Sequence, residues 1–145
     1  MVFGRASFAP TPAINLSSLD GTTGFRLDGI DAYDQSGISV ASAGDVNGDG
    51  FDDIVIGAHE AEPGAARFVG ESYVVFGRAS FAATPAINLS SLNGTTGFRL
   101  DGIDVNDFTG RSVASAGDVN GDGFDDIVIG APFAEPGAVP DVGES

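Results

Sequence analysis

Two stretches of this chain, Asp45-Val46-Asn47-Gly48-Asp49-Gly50-Phe51-Asp52-Asp53 and its letter-for-letter copy from Asp118 to Asp126, carry the residues best suited to chemistry. In each, oxygen-bearing side chains stand at the first, third, fifth and ninth positions: Asp45, Asn47, Asp49 and Asp53, then Asp118, Asn120, Asp122 and Asp126. Glycine at the fourth and sixth positions lets so short a loop curl and turn these oxygens toward one point. That is the ligand set of a hard cation, and calcium is its natural occupant. Without a cation, three carboxylates in one loop would repel and raise one another's pKa. An EF-hand is excluded, because its twelfth position requires a bidentate Glu and here holds Ile56 or Ile129. A metal-free turn built on Asn-Gly and Asp-Gly is the other reading of the same letters. Asp52 and Asp125, at the eighth position, are expected to point away, either solvated or supporting the ligands from outside.

Other candidates are thinner. His59 is the only histidine, and its counterpart in the second copy is Pro132. Zinc needs three or four N, S or carboxylate ligands, and no cysteine or second histidine is available, so His59 is expected to be an exposed loop residue. There is no lysine, which excludes a phosphate-cradling Gly-Lys-Ser loop. Asp28, Asp31 and Asp34, repeated as Asp101, Asp104 and Asp107, read either as a second, weaker cation site or as a polar turn. Glu62 and Glu71, with Glu135 and Glu144, are spaced carboxylates without a partner base. Glycoside hydrolysis by such a pair is an open alternative that nothing favours.

The chain that must position these loops has 145 residues and a formal charge of −15, with six arginines against twenty-one Asp and Glu. Such a surface repels nucleic acid and anionic membranes and attracts divalent cations. No apolar run approaches the length of a membrane span. Phe3-Gly4-Arg5-Ala6-Ser7-Phe8 returns 73 residues later as Phe76-Gly77-Arg78-Ala79-Ser80-Phe81. The same offset carries Pro12 to Pro85, Asp45 to Asp118 and Pro63 to Pro136, so the chain is two copies of one unit, 1–72 and 73–145. Their near-identity points to a recently amplified or engineered repeat.

Glycines and prolines divide each unit into four short apolar runs, the number of strands in a propeller blade. Gly37 to Gly44, small or β-branched on both faces, reads as strand A near a crowded axis. Ile54 to Gly57 is strand B, continuous and β-branched as suits a strand covered on both faces. Ser72 to Gly77 is strand C. Gly97 to Leu100, where apolar and charged residues alternate, is strand D with one wet face. Arg26 and Arg99 are then solvated or paired edge residues. No helix-period stretch of useful length occurs.

Phe76-Gly77, the loop Asp118 to Asp126 and Gly130-Ala131-Pro132 together resemble the FG-GAP repeat of the integrin α-subunit β-propeller, closest to its bacterial members. The resemblance covers the whole chain, with one departure at Gly57-Ala58-His59. It implies an all-β fold of four-stranded antiparallel blades and one calcium ion in each A–B hairpin; the letters carry no cluster of nucleophile, base and orienter, so no enzymatic activity is expected. To the side-chain ligands it adds the backbone carbonyls of Phe51 and Phe124. It also implies an extracellular or cell-surface parent with an adhesion role. Met1-Val2-Phe3-Gly4 is not a secretion signal, so the chain reads as a fragment or recombinant piece. A hydrolase or a lectin-like, carbohydrate-binding propeller using loop carboxylates is the alternative function.

Differences between the copies concentrate at 32–38 against 105–111, and at 59–68 against 132–141, which are the D–A and B–C connections. In an antiparallel blade both emerge on one face, opposite the acidic loops. That rim, with Tyr33, Gln35, His59, Arg67, Asn106 and Phe108, is the expected surface for a protein or glycan ligand, with drift in exposed loops as the other explanation. The chain opens within one strand C and closes before the next, so only one blade is complete and two half-blades need partners. Head-to-tail joining of copies is expected, as a trimer closing six blades or a tetramer closing eight.

Overall fold

The computed structural model describes residues 1–8, 13–135 and 142–145. Pro12, Pro136 and the variable residues 139–141 lie outside the described residues. The described residues are all-β apart from three single turns of 3₁₀ helix, Leu16–Ser18, Pro63–Ala65 and Leu89–Ser91.

Four strands form the central sheet: β2 (Ser39–Gly44), β3 (Asp53–Ala58), β4 (Glu71–Val75) and β6 (Gly97–Asp101), antiparallel in the order β2-β3-β4-β6. The register sets Val55 opposite Val74, and Val74 opposite Phe98. These are the expected strands A to D, displaced at their ends by one or two residues. β4 is buried at every residue and β3 at all but the half-buried Ile54, as its unbroken Asp-Ile-Val-Ile-Gly-Ala run requires. Along β6, Phe98 and Leu100 are half-buried while Arg99 and Asp101 are exposed. Arg99 is paired with Asp101 at 2.6 Å and Glu71 at 3.4 Å, and Arg26 with Asp28.

Alternation along β3 and β4 gives the blade two apolar faces. Ile56, Tyr73 and Val75 face one cluster, completed by Phe25, Phe81, Ile87 and Leu89. Phe25 and Phe81 stack there with centroids 3.9 Å apart. Ala43, Val55 and Val74 face the other, closed by Val113 and Ile127. Those two belong to β7 (Ser112–Gly117) and β8 (Asp126–Gly130), the antiparallel A–B hairpin of the second unit. β7 lies beside β2, so the two A strands are neighbours at the crowded side of the fold.

The N-terminal half-blade is also present. Val2 bridges Gly24, and the Phe25 amide donates to the Met1 carbonyl at 3.1 Å, the same pairing that β4 makes with β6. One feature has no counterpart among the expected strands: β1 (Arg26–Asp28) pairs in parallel with β5 (Ala86–Asn88), which lies in the connection between strands C and D. Three residues are too few to show a strand period, and the pairing is long-range. Each half then enters an Asn-capped turn, with Asn15 accepting from the Ser17 amide and Asn88 from that of Ser90.

Candidate metal centre

Both acidic loops join strands A and B, and both follow a bulge, at Ser42/Gly44 and Ser115/Gly117. The extra residue turns the chain sharply before the first aspartate. Asp45 then organises the loop from inside. Its Oδ1 accepts from the amides of Gly48 at 2.8 Å and Asp49 at 3.0 Å, and its Oδ2 from that of Gly50 at 2.8 Å. Asp118 does the same with Gly121, Asp122 and Gly123, at 2.7, 3.1 and 2.9 Å. Asn47 Nδ2 donates to Asp49 Oδ2 at 3.0 Å.

The ninth residue ties the loop to the sheet. Asp53 is buried, and its two oxygens accept from the amides of Val46 at 3.0 Å and Gly77 at 2.8 Å. Burial pushes its pKa up, the two amides oppose that, and the charges of Asp49 and Asp45 add to it. Asp126 keeps the Val119 bond, at 2.8 Å. The donor set of each loop is carboxylate and amide oxygen without sulfur or imidazole, which fits a hard cation in type. Among the described residues, no group of three His, Cys, Asp or Glu side chains closes to metal-holding distance.

The eighth residues behave differently from one another. Asp52 is exposed, whereas Asp125 Oδ2 accepts from the Asp45 amide at 2.8 Å and the Asp125 amide donates to the Asp45 carbonyl at 3.1 Å. The second hairpin therefore supports the first loop from outside. Nothing in the letters of one loop signals this, because the contact exists only between neighbouring hairpins.

On the opposite rim, the D–A loop of the second unit runs along the B–C connection of the first. The amides of Asn106, Phe108 and Thr109 donate to the carbonyls of Arg67, Phe68 and Val69, at 3.1, 3.1 and 3.0 Å. One correction arises here. His59 is only 7% exposed, set against Phe108 with Nδ1 unpaired, because the next unit's loop closes over it. Burial, the leading cause, lowers its pKa. Tyr33, Gln35, Arg67 and Asn106 are exposed, and Phe108 is half-buried among Phe68 and Phe133. Asn106 and Phe108 share a cavity of about 850 Å³ with Arg111, while Tyr33 lines a separate one of about 370 Å³ with Asp31, Asp34 and Glu62. Tyr33, Gln35, Asn106 and Phe108 all hold left-handed backbone, with φ of 77°, 55°, 67° and 55°. Asp34 and Asp107 accept from the amides of Asp31 and Asp104, which is the polar-turn reading of that segment.

A four-stranded antiparallel blade with its first hairpin closed by an Asp/Asn-rich loop defines a β-propeller repeat protein. The FG-GAP repeat model matches residues 36–75 and 109–140, and the chain belongs to that family, in its integrin α-like form. It is 35% identical over 94% of its length to integrin alpha-5 of Xenopus laevis, and 32% identical over 90% to integrin alpha-8 of Gallus gallus. Against integrin alpha-PS5 of Drosophila melanogaster the identity is 36% over 67% of the chain. The chain spans only 9 to 12% of the length of these relatives.

Proposed function

We infer that this chain is a calcium-binding, non-enzymatic propeller scaffold of the adhesion type, each unit, 1–72 and 73–145, being one blade equivalent. The observation carrying this reading is the duplicated hairpin loop, in which the charges of Asp49 and Asp45 act on the buried Asp53 and Asn47 donates to Asp49. An ion held by these side chains and the Phe51 carbonyl, and by Asp118, Asn120, Asp122, Asp126 and the Phe124 carbonyl in the second loop, neutralises that charge. It then fixes the hairpin rather than meeting a substrate. The sequence offers no cluster of nucleophile, base and orienting group to favour the enzymatic alternative. Integrin α relatives support an adhesion role at a surface, and the exposed residues Tyr33, Gln35 and Asn106, all with left-handed backbone, are the candidate contacts with a protein or glycan. Among the described residues, no helix is long and apolar enough to cross a membrane.

The apolar residues exposed on the two A–B hairpins, among them Val40 and Val128, support head-to-tail joining of copies into a closed ring of six or eight blades. Calorimetric titration with calcium tests the metal reading. One ion per loop is expected, with uptake abolished in the double variant Asp49→Ala/Asp122→Ala; a wild-type chain that takes up no calcium would contradict it.

A further inference from the structure

The A strands of the two units, β2 and β7, lie side by side within the chain. Ser39 Oγ donates to the Gly110 carbonyl at 2.7 Å near one end of this contact, and the two acidic loops meet at the other. Ala43 and Val55 pack on Val113 and Ile127 between them. Both hairpins are whole here, so the contact needs nothing beyond the strands and loops already described.

Asp125 makes the join between the loops. Its amide donates to the Asp45 carbonyl at 3.1 Å, and its Oδ2 accepts from the Asp45 amide at 2.8 Å. The approach is close: a Cβ on Gly44 would collide with the Asp125 carboxylate, and one on Gly48 would stand 2.6 Å from the Phe124 ring. Inside loop 118–126 the bonding falls to other residues. Asp118 gathers the Gly121, Asp122 and Gly123 amides, Asp122 Oδ1 accepts from the Phe124 amide at 3.0 Å, and Asp126 accepts from Val119. The Asp125 side chain serves the neighbouring loop instead.

Asp125 stands between Phe124 and Asp126, two of the residues assigned above to the second ion. Asp45, at the other end of the contact, is the residue whose carboxylate gathers the Gly48, Asp49 and Gly50 amides of the first loop. The contact therefore runs directly from the ion-holding residues of one loop to the organising residue of the other. Filling either loop fixes its backbone, and the charge-assisted Asp125–Asp45 bond passes that order across. Less ordering is then left for the second filling. Repulsion between the two ions opposes this, and it is screened with a Debye length of about 8 Å at physiological salt.

We propose that Asp125 is a positioning residue for the first loop and couples the two: calcium in loop 118–126 raises the affinity of loop 45–53 for calcium, and the reverse holds by the same factor. This rests on the calcium reading above and adds to it a dependence of each site on the other.

Calorimetric titration with calcium at physiological ionic strength tests it on wild type and on Asp49→Ala and Asp122→Ala, each of which leaves one loop intact. Asp49 and Asp122 are exposed, so these variants are expected to fold, and circular dichroism checks that they do. The product of the two wild-type association constants should exceed the product of the two isolated-loop constants about 5-fold or more. The same comparison with Asp125→Ala added should give no excess, and with Asp125→Asn, which keeps an oxygen acceptor, part of it. Hydrogen exchange in chelator gives a metal-free reading: Asp125→Ala should lower protection of the Gly48, Asp49 and Gly50 amides as well as that of Asp45. Two ions bound without any excess overturn the coupling and leave the calcium reading standing. An excess that survives Asp125→Ala, or unchanged protection of the loop amides, overturns the role of Asp125. A wild type that takes up no calcium overturns both.

Discussion

Asp53 Oδ1 accepts a hydrogen bond from the Gly77 amide at 2.8 Å, across the sheet from the loop that Asp53 closes. The Phe-Gly pair at the end of strand C and the ninth residue of the acidic loop are therefore one device. A Cβ at Gly77 would stand 2.8 Å from the Phe51 Cβ and collide with the Asp52 carbonyl. Gly77→Ala is expected to cost about 1–3 kcal/mol through overpacking. Asp53→Ala, which orphans the Val46 and Gly77 amides, is expected to cost about 2–4 kcal/mol at about one to two for each buried donor. Urea unfolding in chelator measures both without any contribution from bound metal.

Tyr33 and Asn106 occupy equivalent positions in the two D–A loops, and both have positive φ. Asparagine tolerates this conformation and tyrosine does not. At 90% exposure, Tyr33 gains little from packing in return. Tyr33→Asn should therefore raise stability by about 1 kcal/mol, read as an upward shift in Tm. A neutral or destabilising result would show that the tyrosine ring is held by contacts the fold does not reveal.

Tyr73 is buried, and its hydroxyl donates to the Glu71 carboxylate, itself paired with Arg99. Burial, helped by the bond to Glu71, holds the Tyr73 pKa far above the ordinary phenol value. Tyr73→Phe removes the donor and leaves the carboxylate under-bonded. Denaturant unfolding is expected to show a loss of about 1–3 kcal/mol, with no change in calcium uptake.

Two aspartates give opposite pH dependences. Burial raises the pKa of Asp34, with Asp31 and Glu62 adding to the rise against the Asp31 amide. The native state therefore binds the Asp34 proton more tightly than the unfolded chain does. That contribution is complete below the unfolded value of about 3.9 and is lost as pH rises through the folded pKa. Asp34→Asn should thus be more stable than wild type at neutral pH, and the difference should shrink toward acid. Asp20 is the reverse: bonds from Thr22 and Thr23 hold its pKa well below the carboxylate range. Its contribution is present above the unfolded value and lost on acidification, and Asp20→Asn should remove it. Asn93 already holds the same turn in the second unit. Tm measured against pH for the three proteins checks both signs.

The blade was legible because its signals are local. Ile54-Val55-Ile56 has the composition of a buried strand, Gly97 to Leu100 alternates, and Asn-Gly-Asp-Gly closes the hairpin between A and B. The loop's inward turn at Asp45 and Asn47 follows from the same letters. Long-range relations were not legible. His59 is buried by Phe108, Asp125 caps Asp45, and Arg26–Asp28 finds Ala86–Asn88, each across a separation that no periodicity encodes. Asp52 and Asp125 have identical neighbours in sequence, and only the placement of the next hairpin distinguishes them.

Native mass spectrometry of the chain in calcium and then in excess chelator addresses the central claim, that the duplicated loops hold calcium and the fold depends on it. The account predicts one bound ion per loop in an assembled species, with loss of the ions accompanied by a shift toward single, less stable chains. At a calcium level 100 times the dissociation constant, each site should add about 2.7 kcal/mol. A spectrum with no bound calcium, or with the same mass distribution and thermal stability in both conditions, would contradict it.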